Sequence, residues 1–406
     1  MKTIIYLSYK SIKYRRYTFL LSVLSIAVSI TLLLSVLKLK HQVRESFVDG
    51  IHGIDLIVGA RNSDISLLLY SIYHIGSPNN NVSEQYYQKL KSNKNTRWIA
   101  PFSMGDSHKG FPVIGTTYSY FIQLEKPDMV ISDDLKSNHI IIGAKVANEL
   151  GYKIGDQLIL SHGNGEHSFI DHEHIHFRVS KILPLQGTHL DKSLFIGIKQ
   201  MGEMHQQFHS QVFDPFDDTS IDQKKSYSGL ILSVKEKNGL LELQRTINDD
   251  KVEALTAILP AVTVLELFEF IAPIEKALIM ISIIVFIVAV IGLMTTVLTS
   301  LNERKKEMAI LRSLGASHIQ IFFLIVVETC GITLIGEVLG IVIYQCSILV
   351  LSPYITLKTG ITLTHHFEWI EIVSLLLLFL TSIIFGFIPA YQNYKNSLHK
   401  NLIIAY

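Results

Sequence analysis

The sequence predicts an α-helical membrane protein with four transmembrane helices and an α+β extracytoplasmic domain inserted between the first and second. Three observations carry this. Of 406 residues, 49% are hydrophobic and only 17% are charged, against roughly 25% charged in ordinary soluble proteins. The charges are segregated, so that long uncharged runs flank a polar block from about His41 to Glu275. Lysine and arginine then collect on one side of those runs. Mean hydropathy is +0.34. A net charge of +1 gives no reason to expect a nucleic-acid partner. The two cysteines, Cys330 and Cys346, would lie roughly 24 Å apart on one helix, which argues against a disulfide.

Residues 1–17 hold Lys2, Lys10, Lys13, Arg15 and Arg16 without an acid. They read as a cytoplasmic amphipathic segment. The first span is placed at 18–40, its uncharged core running from Phe19 to Leu37. That core is long for a signal peptide and no small-residue cleavage site follows it, so an uncleaved anchor is expected. Residues 41–261 form the extracytoplasmic domain. Within it, Val146–Leu150 reads as a short helix ended by Gly151, and Asp156–Leu160 as a strand after the Gly155 turn. Phe177–Leu183 alternates, with Phe177, Val179, Lys181 and Leu183 on one face, and Leu194–Ile198 is a further strand. The polar stretch Glu203–Lys225 reads as loop.

Residues 262–301 read as a stalk continuous with the second span, whose uncharged part is Ala277–Leu301. As one helix this would be about 60 Å long, twice the roughly 30 Å hydrocarbon core. Pro273 either kinks that helix or marks the meeting of two. A cytoplasmic loop follows at 302–318. The third span, 319–352, is interrupted only by Glu328 and Glu337. An outer loop (353–369), a fourth span (370–391) and a cytoplasmic tail (392–406) complete the chain. Arg304, Lys305, Lys306 and Arg312 in the first loop, against Lys358 alone in the second, put both termini inside by the positive-inside rule.

In the cytoplasmic loop Met308, Leu311 and Leu314 recur at helical spacing and Gly315 can cap the end. By itself this is a short basic helix at the inner surface. The longer run NERKKEMAILRSLGASHIQIFFLIVVE, followed by Gly331, Gly336 and Gly340, resembles the MacB/FtsX-like ABC transporter permeases. Pro389-Ala390 with the polar helix after it, GIDLIVGA after the first span, and the outer segment from IIIGAKVANELGYKIGDQLIL to FRVSKILPLQGTHLDKSLFIGI carry the same likeness.

The resemblance implies a permease subunit of the bacterial cytoplasmic membrane, paired with a second copy in a homodimer or heterodimer. A separate cytoplasmic ABC ATPase dimer, holding ATP and magnesium, would drive it. The coupling residues would be Glu303, Arg304, Lys305, Glu307, Met308, Leu311, Arg312, Leu314 and Gly315, with Ile4–Tyr14 along the inner surface. A periplasmic adaptor or lipoprotein is a further implied partner, beside membrane lipid. No G-x-x-x-x-G-K-[ST] phosphate loop occurs in these residues, so the chain is expected to be non-catalytic. MacB carries a fused ATPase, and here the sequence opens on the anchor.

Gly336 and Gly340 form a GxxxG element suited to a helix–helix contact, within one subunit or between two. Glu328 and Glu337 are expected to face protein or water. Nine residues apart, they point to opposite sides of a helix. Glu328 reads as a structural hydrogen-bonding group, with a proton relay as the lesser alternative, and Glu337 as lying near the outer interface.

Seventeen histidines are unusual, and His162, His167, His172, His174 and His176 crowd together beside Glu166, Asp171 and Glu173. His172–His176 satisfies H-E-x-x-H, but a zinc protease needs that motif on a helix, whereas here it runs into a strand pattern. On a strand the three histidines would share one face about 6.8 Å apart. A solvated polar edge, an extracytoplasmic zinc site or a pH sensor all fit. His205 and His209 share a face if their segment is helical. The alternative function is therefore a metal-binding sensor or metalloprotein, and a regulator of cell-wall hydrolases fits the span pattern as well.

Overall fold

The computed structural model describes residues 16–123, 135–162, 170–211, 225–303, 310, 313, 315–359 and 363–403. They divide into two compact units. A helical unit draws on Met1–Gln42, Ala272–Tyr354 and Leu363–Tyr406, and a mixed unit on Val43–Ile271 and Ile355–Thr362.

The mixed unit is built on a nine-stranded sheet. Its strands are β1 (Leu56–Ala60), β3 (Thr96–His108), β4 (Phe111–Thr116), β5 (His139–Ile142), β6 (Gln157–His162), β7 (Ile170–Ile182), β8 (Leu194–Gly197), β10 (Gly229–Val234) and β11 (Leu255–Ile258), while β2 (Val82–Ser83) and β9 (Ser226–Tyr227) pair separately. The order is β11-β1-β10-β3-β4-β8-β5-β7-β6, and β6 pairs again with β3. That pairing closes β3, β4, β8, β5, β7 and β6 into a ring, from which β10, β1 and β11 continue as an open wing. β4–β8 and β5–β7 are parallel and the other pairs antiparallel.

Alternate residues of the wing feed two cores, as the two-residue strand period requires. Leu56, Val58, Leu230 and Leu232 pack with Tyr86 and Leu90 of α3 (Glu84–Lys91) and with Leu243 and Ile247 of α7 (Leu240–Asn248). Ile57 and Ile231 face Leu67, Leu68 and Tyr70 of α2 (Asp64–Ser71). Ser63 and Ser83 cap α2 and α3, each accepting a backbone N–H from three residues on, at 3.3 and 3.1 Å. The ring has its own core, including Val113, Ile140, Leu158, Phe177, Val179 and Leu194.

The short helix expected at Val146–Leu150 is α5 (Ala144–Leu150), ended by Gly151 at φ 73°. A further short helix, α4, spans Tyr118–Gln123. Alternation along β7 breaks at Ser180, where the register with β5 shifts. Leu183 consequently joins a different core from Phe177 and Val179. The stretch read as loop from Glu203 is instead helical up to Gln211, within α6 (Ile198–Gln211). Its polar composition concealed Met201 and Met204, which are buried three residues apart in the ring core.

Among the described residues, three helices are long and apolar enough to cross a membrane, over Arg16–Gly50, Pro260–Thr299 and Ile319–Thr356. They belong to α1 (Arg16–Gly50), α8 (Pro260–Glu303) and α9 (His318–Thr359). The fourth apolar run lies in α10 (Trp369–Ile403), whose apolar part among the described residues is Trp369–Phe385. Pro273 lies inside α8, which is one helix and not two. The helical unit's core gathers Val23, Ile26, Ile30 and Leu34 with Ala289, Leu293, Ile332 and Tyr344.

Candidate functional site

The site is assembled from the helix contacts of the helical unit, beginning at the two glycines of α9. A Cβ on Gly336 would stand 2.9 Å from Ile26 Cβ, and one on Gly340 would stand 2.9 Å from the Ala27 carbonyl oxygen. Both distances are shorter than side chains tolerate. α1 and α9 therefore approach through bare backbone, within one chain. Thr31 Oγ1 donates to the Ala27 carbonyl at 2.8 Å and to the Gly340 carbonyl at 3.0 Å. On the α8 side, the Ser22 and Thr296 hydroxyls share a 2.8 Å hydrogen bond.

A cluster of polar groups, undetected in the sequence, joins α1, α9, α10 and residues 363–368. Lys38 is buried; its Nζ donates to the His366 carbonyl at 2.6 Å and lies 3.6 Å from Glu368 Oε1. His41 Nδ1 is 3.8 Å from the same oxygen. Gln42 Oε1 accepts from the Thr364 N–H at 3.0 Å. Glu371 is fully buried, accepting from the Tyr344 hydroxyl at 2.7 Å and from the Glu368 N–H at 2.9 Å. The second of these bonds caps the start of α10. Lys40 pairs with Glu275 at 3.0 Å. Buried charges persist only where paired and hydrogen-bonded, so this cluster pins the 363–368 segment to α1 and α9. The signal in the sequence was modest: Lys38 is the first charge after the apolar run of α1, and Glu371 stands at the edge of the fourth run.

Of the two acids expected in the third span, Glu328 is half-buried. Glu337 is buried, and its Oε1 has no hydrogen-bond partner among the described residues. It lies near the middle of the candidate span Ile319–Thr356.

The turn between α8 and α9 is described only in part. Glu303 is the last residue of α8, whereas Arg304, Lys305, Glu307, Met308, Leu311, Arg312 and Leu314 lie outside the described residues. Ile310 and Ser313 are exposed. Gly315 adopts φ 94°, a conformation that favours glycine. Ser317 and Gln320 then form a reciprocal capping box at the start of α9, with N–H to side-chain distances of 2.9 and 3.3 Å.

In the mixed unit, His162 ends β6 opposite Asp106 of β3, and His172, His174 and His176 belong to β7. The H-E-x-x-H run is thus on a strand, without the shared helical face that a zinc protease requires. His176 is exposed. His167 lies outside the described residues. No group of three metal-ligating side chains gathers among the described residues. His205 and His209 fall four residues apart on α6.

Comparison with known proteins finds a family match in the helical part of the chain. Residues 279–398, which cover most of α8, all of α9 and most of α10, match the FtsX-like permease C-terminal family. Two macrolide export ATP-binding/permease proteins MacB, from Campylobacter jejuni serotypes O:23/36 and O:2, are each 30% identical over 125 residues, covering 31% of this chain and 18% of the relative. The chain thus spans under a fifth of the length of these relatives. Among solved structures, the periplasmic region of MacB from Actinobacillus actinomycetemcomitans aligns with a TM-score of 0.32 at 10% identity, covering 53% of this chain and 94% of that one. The extracellular domain of the noncanonic ABC-type transporter YknZ from Gram-positive bacteria aligns with a TM-score of 0.30 at 13% identity, covering 50% and 98%.

Proposed function

We propose that this chain, an ABC transporter permease of the MacB/FtsX-like type, converts ATP hydrolysis on a separate cytoplasmic ABC ATPase dimer into movement of its mixed unit. The family match over residues 279–398 is the observation that carries this reading, because it includes the basic turn between α8 and α9. In the proposed arrangement α10 is the fourth span. Both termini and the turn lie in the cytoplasm of a bacterial cell, and the mixed unit lies outside its cytoplasmic membrane. A second permease copy completes the assembly. The work done is export or extraction of a substrate at the outer face, with an envelope adaptor or lipoprotein as a further partner.

The chemistry asked of this chain is mechanical. Arg304, Lys305 and Arg312 supply charge for an acidic groove on the ATPase, while Met308, Leu311 and Leu314 supply an apolar face. Gly315 lets the chain reverse into the capping box of Ser317 and Gln320. The glycine contact of α1 with α9 and the Lys38–Glu368 cluster hold the helices as a stiff set, so that a push at the turn is not dissipated in side-chain rearrangement.

The test is purification of the full chain from membranes, with ATP hydrolysis and co-eluting subunits as readouts. Reversing Arg304, Lys305 and Arg312 to glutamate is expected to remove the ATPase from the complex while the permease still inserts. An ATPase retained at wild-type ratio by the triple variant would overturn the reading.

A further inference from the structure

Glu337 stands apart from Glu275, Glu368 and Glu371, the acids of the helical unit whose partners are described. Glu368 meets Lys38, Glu275 meets Lys40, and Glu371 takes two hydrogen bonds. Glu337 is 8% exposed, and Oε1 is buried with no hydrogen-bond partner among the described residues. It follows Gly336 directly. The α1 residues seated on this glycine pair, Val23, Ile26, Ala27 and Ile30, bring no titratable group. On α9 itself, one turn before it is Thr333, whose hydroxyl is spent on the Thr329 carbonyl at 3.0 Å, and two turns beyond it is Tyr344, spent on Glu371. From α10, Leu375 and Leu378 pack into the same core, and from α8, Ala289 and Leu293 do so. Lys38 and His41 face Glu368, and Glu371 is engaged by Tyr344.

A carboxylate left alone in such surroundings forfeits its hydration without recompense, whereas the neutral acid does not. We propose that Glu337 is a proton-binding site: it holds a proton as the neutral acid while α9 is seated on α1, and releases it to water when the Gly336–Gly340 contact opens. Proton binding is thereby linked to helix closure, since any group that binds a proton more tightly in one arrangement must favour that arrangement when protonated. This inference does not rest on the ATPase partnership.

The experiment uses the full chain, without an ATPase, in phospholipid nanodiscs, and reads the carboxylic-acid carbonyl stretch by infrared spectroscopy. At neutral pH the wild type is expected to show a protonated-carboxyl band that is lost in Glu337→Gln and shifted in frequency in Glu337→Asp. The second variant keeps the test decisive should the first fail to insert. Gly336→Ile, which forces α1 from α9, is expected to lose the band at neutral pH. Gly340→Ala serves the same purpose if the bulkier side chain prevents expression. Wild-type and Glu337→Gln spectra with equal protonated-carboxyl absorption would overturn the site. So would a Glu337 band that titrates near the ordinary carboxyl value of about 4.3. A band undiminished by the glycine substitutions would overturn the linkage to closure.

Discussion

The mixed unit and the helical unit satisfy their buried groups in different ways. In the mixed unit, whole strands are covered on both faces: all five residues of β1 and all six of β10 are buried. Two of its acids, the buried Asp191 and the half-buried Asp55, accept from backbone N–H groups. Asp191 accepts from the N–H groups of Gln186, Gly187 and Thr188, and Asp55 from the Val234 N–H and the Ser233 hydroxyl. In the helical unit, fewer than half the residues of each apolar span are buried within the chain. Its hydroxyls mostly fold back onto their own helix, as Ser282, Thr295, Thr329 and Thr333 do. Water drives apolar surface together in one unit, but lipid accepts that surface without penalty in the other. Close backbone approach and a few polar bonds must then decide which helices meet.

The contrast can be broken most severely in the mixed unit. A Cβ at Gly143 would lie 2.3 Å from the carbonyl oxygens of both Leu190 and Asp191. Backbone on both sides cannot yield, and Gly143→Ala is expected to cost about 4 kcal/mol or more. Thermal unfolding of the full chain measures this, with Gly202→Ala as the control, because nothing lies within 4 Å of that added Cβ. Equal melting of the two variants would remove the argument. In the helical unit Gly340→Leu meets Ile30 and the Ala27 carbonyl and should cost about 3 kcal/mol. Its loss should appear as separation of α1 from α9 under cross-linking, and unchanged cross-linking would show that backbone proximity is not what joins them.

The smallest expected effect is a pH dependence confined to the mixed unit. His74 is buried, and desolvation lowers its pKa from the ordinary imidazole value to about 3. It shares a 2.7 Å hydrogen bond with Ser193 Oγ. Below about pH 6.5 the unfolded chain binds a proton that the folded chain refuses. Stability is therefore complete above that pH and falls as the pH drops toward 3, by about 2 kcal/mol midway through that window. His74→Asn should flatten the profile of melting temperature against pH. An equally steep profile in the variant would assign the acid sensitivity to other groups.

Much of the chain was legible because local chemistry fixed it. Uncharged runs located the long helices, and Gly151 and Gly155, both at positive φ, bracketed a helix and a strand from composition alone. What escaped was non-local. The β3–β6 pairing joins residues far apart in sequence, and no alternation announces it. A bulge at Ser180 reversed the inward face within one strand, and only the register with β5 reveals it. α6 hid because most of its residues are polar and its few buried ones are methionines. Lys38, Tyr344, Glu368 and Glu371 each looked ordinary alone, and their meaning lies in being brought together. The turn between α8 and α9 was the reverse case, conspicuous in sequence through its likeness to a family and only partly described in structure.

Among the described residues, two seams of the six-strand ring hold just two residue pairs each: Asp106 with His162 and Ser107 with Ser161 between β3 and β6, and Ile141 with Phe195 and Ile142 with Leu194 between β5 and β8. A closed belt carries a pull as shear shared among all its seams, but it fails first where the seam is shortest. Tension on this domain should therefore unzip one of these two junctions before the longer seams, leaving an open ribbon with two bare edges. Tethers fastened across both, and nowhere else, would decide how much force the belt withstands.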